Sequence, residues 1–283
     1  MLNANMIKRM KRIGRRLQKN ILDLCCNVQT EPLIILGNQK SGTTAIAALV
    51  AKAANRSVIL DFFFREPRAI RKIVEGQLSL RDFIDANRAY FSKEIIKDPD
   101  LTFIYPQLRE IYPNSKTVFI LRDPVSNVKS ILNRLGLPGT LEVLSDEKRA
   151  ELDEIFPEWF DVMDGVRFGH QDKNPVIALL RRAILSHEIC CRHRNDFVVV
   201  RYEDFMADKK GYIEKLCAEL GIPVSRDISN YVDVQYQPKG KSSGDLVEFF
   251  GYENMQKIRE LLKQPEVVSC LERNGYSRCC TDE

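Results

Sequence analysis

The stretch LIILGNQKSGTTAIAALVAKAA, residues Leu33–Ala54, decides the fold class of this chain. It begins with a short apolar run, continues through a turn that contains Gly37 and Gly42, and ends in an alanine-rich segment with helical spacing. The order strand, glycine turn and helix predicts a phosphate-binding loop, because the backbone N–H groups of such a turn and the positive end of the helix together bind anions.

The position of the lysine separates this loop from those of nucleotide triphosphatases. The triphosphatase pattern places a lysine directly after the second glycine, whereas Lys40 precedes Gly42 by two residues. The best candidate for a strand that ends in a metal-binding aspartate, VFILRD, runs into Arg122 instead. A loop that relies on lysine favours a transferred group with less negative charge than a terminal phosphoryl group, and a sulfuryl group meets that requirement.

Composition limits the classes of ligand. The 283 residues are 44% hydrophobic and 29% charged, which is typical of a globular protein with one large domain or two small ones. Residues 1–20 hold seven Lys or Arg and no acid, so the rest of the chain carries 36 basic and 39 acidic residues. The body therefore does not bind polyanions in general, and nucleic acid is not an expected partner. No apolar run is long enough to span a membrane.

Residues 1–30 are predicted to be a basic leader, and residues 1–24 have the apolar spacing of an amphipathic helix. Three interpretations stay open: peripheral contact with an anionic membrane, a leader packed on the body, and a mitochondrial leader. The eight cysteines include no C-x-x-C metal spacing, and no secretory signal peptide is visible. Free thiols in the cytoplasm are the simplest prediction, with a disulfide as the alternative.

Residues 31–283 are predicted to form a single α/β domain of the P-loop type, with a central parallel sheet between two helical layers. Unbroken apolar runs predict buried parallel strands, and the ligand is then expected at their carboxyl ends. Residues 137–175 interrupt the alternation and are predicted to be a helical and loop insertion on the acceptor side. The predicted strands are Leu33–Leu36, Ser57–Leu60, Thr117–Leu121 and Phe197–Arg201, and the predicted helices are Thr43–Ala54, Val125–Leu135 and Tyr212–Leu220.

Two motifs resemble those of sulfotransferases that use 3′-phosphoadenosine 5′-phosphosulfate (PAPS). QKSGTT after a strand is similar to the 5′-phosphosulfate loop of that family. VFILRDPVSNVKSILNRL, residues Val118–Leu135, is similar to its 3′-phosphate motif, in which a strand ends in an arginine and a serine follows eight residues later. Those residues are Arg122 and Ser130 here, and a guanidinium group suits bidentate contact with phosphate.

Two further stretches are similar to the same family. VVVRYEDF resembles its late strand, which would place Tyr202 near the adenine, and QPKGKSSGD resembles the basic glycine loop that closes on the 3′-phosphate. The resemblance is closer to carbohydrate-type and bacterial members than to cytosolic aryl types. It implies a donor site made of Lys40, Ser41, Gly42, Thr43, Thr44, Arg122, Ser130, Tyr202, Lys239, Gly240 and Lys241.

The resemblance also implies an activity. A sulfuryl group would pass from PAPS, as co-substrate and without a metal ion, to a hydroxyl of a carbohydrate, glycolipid or small alcohol by in-line displacement. Lys40 would serve the leaving group. Lys97-Asp98-Pro99 fits a Lys-x-Pro of carbohydrate-type members, so Lys97 would hold the sulfuryl oxygens, and the alternative is a lysine placed against a helix end.

The catalytic base is predicted from position. Asp61 ranks first because it follows the second predicted strand, and a turn or capping role is an equal alternative. Glu66, Glu94 and His170 rank after it. The glutamate that can precede the lysine in carbohydrate-type members is replaced here by Ile96. Aromatic residues in 62–92 and 137–175 suit an acceptor pocket and suit a core equally well.

Two other functions compete with sulfuryl transfer. A P-loop kinase or nucleotide triphosphatase with an atypical loop would turn over ATP only with Mg²⁺. A non-catalytic nucleotide-binding or scaffold protein would bind the nucleotide and transfer nothing.

Overall fold

The structure is a computed structural model, and it describes residues 19, 21–66, 68–155, 157–234 and 245–276. Five strands of the described residues form one sheet in the order β2-β3-β1-β4-β5, and every neighbouring pair is parallel. The prediction of an α/β fold with a central parallel sheet is therefore confirmed. The strands are β1 (Leu33–Gly37), β2 (Val58–Leu60), β3 (Ile95–Lys97), β4 (Thr117–Leu121) and β5 (Phe197–Arg201).

Strand β3 is the element of the sheet that the sequence pattern does not predict. It has only three residues, and it pairs with β1 through Leu33 and Ile95 and with β2 through Val58 and Ile95. Lys97 is its last residue, so the alternative interpretation of Lys97 as a helix-end lysine is wrong.

Alternate residues of β1 face opposite sides of the sheet, and each side packs against helices. Leu33 and Ile35 belong to a core shared with α1 (Thr43–Ala54) and α11 (Lys209–Glu219). Ile34 and Leu36 belong to a second core on the other side. The sheet is therefore the middle layer of three. The helices that contribute to the second core include α6 (Pro124–Leu135), α9 (Pro175–Arg192), α12 (Leu246–Leu262) and α13 (Pro265–Arg273).

The remaining helices are short and lie in the connections between these elements. They are α2 (Ala69–Val74), α3 (Leu80–Asp85), α4 (Arg88–Phe91), α5 (Tyr105–Ile111), α7 (Asp146–Ile155), α8 (Pro157–Asp164) and α10 (Tyr202–Ala207), with 3₁₀ turns at Pro99–Ile104, Val166–Phe168 and Arg194–Asp196.

Helix α6, which carries the predicted 3′-phosphate serine, has clear start and stop signals. The Asp123 carboxylate accepts a hydrogen bond from the Ser126 N–H at 2.7 Å, and Pro124 occupies the first turn, where its missing N–H costs nothing. Gly136 ends the helix with φ 65°. These signals fix the direction in which α6 leaves strand β4.

Residues 137–175 contain α7, α8 and a 3₁₀ turn, so the prediction of helices and loops there is met. Arg71 of α2 donates hydrogen bonds to Asp161 at 2.8 Å and to Asp153 at 3.3 Å. The segment therefore packs against the connection that follows β2. Its role as an acceptor-side insertion, and the division into a leader and one domain, remain predictions.

Most of the predicted leader, residues 1–18 and residue 20, lies outside the described residues. Residues 21–25 are helical, and the side chains of Ile21 and Leu24 are exposed. None of the helices within the described ranges has both the length and the apolar character needed to cross a bilayer. The six described cysteines are free thiols: Cys25, Cys26, Cys190, Cys191, Cys217 and Cys270.

Candidate functional site

Five parts of the predicted site lie along one edge of the sheet. All five strands run in the same direction, so their carboxyl ends meet there. In spatial order this edge presents Asp61 after β2, Lys97 at the end of β3, the loop of residues 38–42 after β1, Arg122 after β4 and Tyr202 after β5. One part of the predicted site therefore lies at or directly after the carboxyl end of each strand.

The loop depends on two glycines and one strained lysine. A Cβ atom on Gly37 would lie 2.4 Å from the Ile120 carbonyl oxygen, and one on Gly42 would lie 2.5 Å from the Tyr202 ring. Lys40 adopts φ 65°, a left-handed conformation that costs a residue other than glycine about 1–3 kcal/mol. Helix α1 begins directly afterwards at Thr43, so its positive end faces the loop.

Positive charge collects around Lys40. Burial, as the largest cause, and then the nearby cations Arg134, Arg122 and Lys97 together lower the pKa of Lys40 to about 8. Lys40 is therefore still protonated at neutral pH, and four cationic side chains lie close together. This concentration of charge suits a ligand with several negative charges.

Arg122 connects the two predicted motifs. Its Nη1 donates a hydrogen bond of 2.5 Å to the Lys40 carbonyl oxygen, and its Cζ lies 4.5 Å from the centre of the Tyr202 ring. Its Nε is buried and has no hydrogen-bond partner among the described residues. Ser130 lies half-buried two turns along α6. The two predicted motifs therefore lie on the same side of the molecule, and the second of them holds a buried donor.

Asp61 and Lys97 form an ion pair in which Lys97 is almost fully buried. The Lys97 Nζ also donates a hydrogen bond to Thr44 Oγ1 at 2.8 Å, and the Thr44 hydroxyl donates one to Asp61 at 3.3 Å. Asp61 has φ 51°, and its N–H donates to the Lys97 carbonyl oxygen at 3.0 Å. The structure therefore brings the predicted base, the predicted sulfuryl-binding lysine and the first turn of α1 into direct contact.

The other candidates for the base lie elsewhere. Glu94 precedes β3 and accepts a hydrogen bond from the Ser57 N–H at 2.9 Å, which places it at the opposite edge of the sheet. Glu66 lies 3.5 Å from Lys19 in an ion pair. His170 is buried against Arg182, and burial followed by the Arg182 charge lowers its pKa to about 3.

Some predicted donor-binding residues have different surroundings from those expected. Thr43 and Ser41 are buried, and the Ser41 hydroxyl accepts a hydrogen bond from Asn127 Nδ2 at 3.0 Å. Their side chains therefore face the protein rather than an open cradle. Lys239, Gly240 and Lys241 lie outside the described residues.

A buried polar cluster that was not predicted from the sequence lies beneath the loop. Its members are Asn38, Gln39, Asp100, Asn127 and Arg182, and each is at most 8% exposed. Two of them belong to the loop itself, and Arg182 interrupts the apolar pattern of α9. A charged residue inside an apolar helical run was the available signal, although the sequence does not show what it contacts.

Comparison with known proteins identifies the family. A profile described as "Sulfotransferase family" matches residues 47–226. None of the curated proteins compared with the chain gives a significant match.

The chain is similar to several solved structures at low sequence identity. The sulfotransferase from Alicyclobacillus acidocaldarius is 15% identical with a TM-score of 0.49, and the match covers 89% of this chain and 100% of that one. Mouse sulfotransferase SULT7A1 complexed with PAP is 16% identical with a TM-score of 0.47, covering 89% and 91%. Sulfotransferase STF9 from Mycobacterium avium is 13% identical with a TM-score of 0.48, covering 89% and 80%. Since the family profile matches more than half of the residues, this chain belongs to the sulfotransferase family.

Proposed function

We propose that this chain transfers a sulfuryl group from PAPS to a hydroxyl acceptor, most suitably a carbohydrate or glycolipid. The observation that carries the proposal is the hydrogen bond from Arg122 to the Lys40 carbonyl oxygen. It joins two anion-binding motifs, about 80 residues apart in the sequence, at the carboxyl edge of one sheet. A donor with a phosphosulfate at one end and a 3′-phosphate at the other needs such a pair of sites.

The other residues proposed for the donor site also fit such a donor. The loop and the N-terminus of α1 would bind the 5′-phosphosulfate, and the unpartnered Nε of Arg122 together with Ser130 would bind the 3′-phosphate. The Tyr202 ring, which packs against Gly42 and Arg122, would lie beside the adenine. Lys239, Gly240 and Lys241 are proposed to close over the 3′-phosphate.

The reaction is an in-line displacement at sulfur. The acceptor oxygen forms a bond to sulfur while the bond from sulfur to the bridging oxygen breaks, and the electron pair of that bond leaves with 3′-phosphoadenosine 5′-phosphate (PAP). The Lys40 ammonium stabilises the charge that grows on the bridging oxygen. Asp61 takes the proton of the acceptor hydroxyl. Lys97 orients Asp61 through the ion pair and has a further N–H for a sulfuryl oxygen.

One aromatic residue in the region proposed to bind the acceptor is exposed and suits an acceptor that contains a ring. Phe62, Phe63 and Phe91 are at most 2% exposed and belong to the core, whereas Phe64 is 44% exposed. The Phe64 and Trp159 rings lie edge to face with centres 6.2 Å apart, which joins the connection after β2 to α8. A partly exposed aromatic ring three residues after Asp61 suits contact with a sugar.

Transfer of radiolabelled sulfate from PAPS to a panel of sugars, glycolipids, phenols and sterols tests the proposal. We expect label on a hydroxyl-bearing sugar or glycolipid in the presence of EDTA, and PAP binding in titration calorimetry under the same conditions. ATP hydrolysis that requires Mg²⁺, without PAP binding, would support the kinase alternative. PAP binding with no transfer to any acceptor would support the scaffold alternative.

A further inference from the structure

The loop has a second face, directed into the protein, and that face rests on a buried cation. Arg182 in α9 is fully buried, and its guanidinium contacts the side chains of Asn38 and Gln39. We propose that Arg182 is a positioning residue, which holds Gln39 and thereby keeps Lys40 in the conformation that meets the donor. This inference rests on the proposed function and adds a residue that touches no substrate.

The contacts of Arg182 use the whole guanidinium group. Its Nη2 donates hydrogen bonds of 2.9 Å to both Gln39 Oε1 and Asp100 Oδ1, and its Nε donates one of 3.2 Å to Asn38 Oδ1. Its Nη1 lies 3.3 Å from His170 Nε2. The pKa of His170 is lowered to about 3, so the neutral ring can accept this bond. Arg182 is thus oriented from several directions.

Aromatic rings and one carboxylate stabilise the buried charge. Arg182 Cζ lies 3.8 Å from the centre of the Phe103 ring and 5.2 Å from that of Phe168, so the guanidinium lies beside a pair of aromatic rings. Burial lowers the pKa of Arg182 and the Asp100 carboxylate opposes that effect, so that the pKa is about 10. Arg182 therefore stays charged at neutral pH and keeps its ion pair with Asp100.

Gln39 passes this constraint to Lys40. Its Nε2 donates a hydrogen bond of 2.7 Å to Asp100 Oδ1, so the carboxamide is held by both members of the ion pair. The Gln39 carbonyl oxygen accepts a hydrogen bond of 2.8 Å from Asn127. The Lys40 carbonyl oxygen accepts one from Arg122. The peptide groups on both sides of the left-handed Lys40 are therefore fixed, and a residue in a strained conformation persists only where its surroundings determine it.

The sharpest variant is Gln39→Met, because it removes the carboxamide and leaves Arg182 and Asp100 bonded directly to each other. We expect kcat to fall about tenfold to a hundredfold, since a displaced catalytic group loses rate by misalignment. PAP affinity should change less than kcat, because Arg122 and the start of α1 are untouched. The alkaline limb of kcat/KM for the donor should also move to higher pH as Lys40 becomes more solvated.

Arg182 itself is tested by a conservative and a non-conservative replacement. Arg182→Lys keeps the charge beside Asp100 and should retain more of kcat than Arg182→Met. The double variant Arg182→Met/Asp100→Asn avoids an unpaired buried charge, and it should still lose kcat even where it folds stably. Thermal unfolding of each variant separates loss of the fold from loss of positioning.

A matched control is Asn254→Ala, which removes a buried carboxamide that contacts Asn174 and the Gly139 carbonyl oxygen rather than the loop. Its unfolding temperature should fall while kcat stays within about twofold. Wild-type kcat and an unmoved alkaline limb in Gln39→Met would overturn the inference and leave the proposed function standing. A wild-type chain that transfers no sulfate would overturn the proposed function instead.

Discussion

At the scale of single residues, Lys40 differs from an ordinary surface lysine in both backbone and charge. It adopts a positive φ angle, and its pKa is lowered to about 8 by burial and by neighbouring cations. Lys40 and Arg122 were predictable because each follows a strand within a short contiguous motif. Arg182 was not, because its partners Asn38 and Gln39 lie more than 140 residues earlier and only the fold brings them together.

The titration of Lys40 predicts an alkaline limit to activity. The side chain is cationic below its pKa of about 8 and loses its charge above it. Because kcat/KM reports the free protein, kcat/KM for the donor should be level at neutral pH and fall as pH rises past about 8. Lys40→Arg should remove this decline, since a guanidinium stays protonated there. A decline of unchanged midpoint in Lys40→Arg would show that another group causes it.

Asp61 gives a second prediction at this scale. Asp61→Asn removes the proposed base and keeps the size of the side chain, so turnover should fall about a hundredfold or more while PAP affinity stays nearly unchanged. Glu94→Gln is the matched control, because Glu94 lies at the other edge of the sheet. Thermal unfolding should be measured for both variants, because Lys97 loses its buried charged partner in Asp61→Asn. Weakened PAP affinity with normal turnover would assign Asp61 to the donor site.

At the scale of elements, four of the five strands of the described sheet were predictable and β3 was not. Helix α1 and strands β4 and β5 have the bounds that their sequence patterns predict. Strand β3 has three residues, of which only Ile95 and Ile96 are apolar, and it forms because it pairs with a strand on each side. Because β3 was not predicted, the sequence did not show that Lys97 and Asp61 lie at the ends of neighbouring strands.

The packing of Tyr202, the first residue of α10, against the loop predicts the effect of Gly42→Ala. The new Cβ would lie 2.5 Å from the Tyr202 ring at φ 86°, so the ring must move and the backbone is strained. PAP affinity should fall at least about tenfold, because the ring also contacts Arg122. Gly76→Ala is the control, since φ there is 71° and nothing lies within 4 Å of the added Cβ. Equal PAP affinity in the wild type and Gly42→Ala would contradict the packing argument.

At the scale of the whole molecule, the sheet order was not predictable from the sequence, although the α/β class was. Periodicity identifies buried strands, but it contains no information about which strands are neighbours. His187 illustrates the long-range connections that result. Its Nε2 lies 3.0 Å from the Arg122 carbonyl oxygen, and Asn274 Nδ2, just beyond α13, lies 3.3 Å from its Nδ1. These distances fit a neutral ring that donates from Nε2.

Buried His187 predicts a loss of stability in acid. Burial lowers its pKa from 6.5 to about 4, so the unfolded chain binds a proton more readily than the folded one. Its contribution is complete above pH 6.5 and declines towards pH 4, by about 2–3 kcal/mol at pH 4.5. Urea unfolding at pH 7 and pH 4.5 should therefore show a smaller acid-induced decrease for His187→Gln than for the wild type. Equal decreases would mean that His187 does not govern this range.

Strand β2 occupies one margin of the described sheet, while the two motifs proposed to bind the nucleotide follow β1 and β4 in its interior. On the proposed assignment, an incoming alcohol approaches from that margin, beside Asp61 and the irregular connection that follows it. Variation of this connection can change which alcohol is accepted without moving a strand on which the nucleotide depends. Sequence changes in this connection, whether natural or introduced by grafting, should therefore alter the choice of acceptor far more readily than the choice of donor.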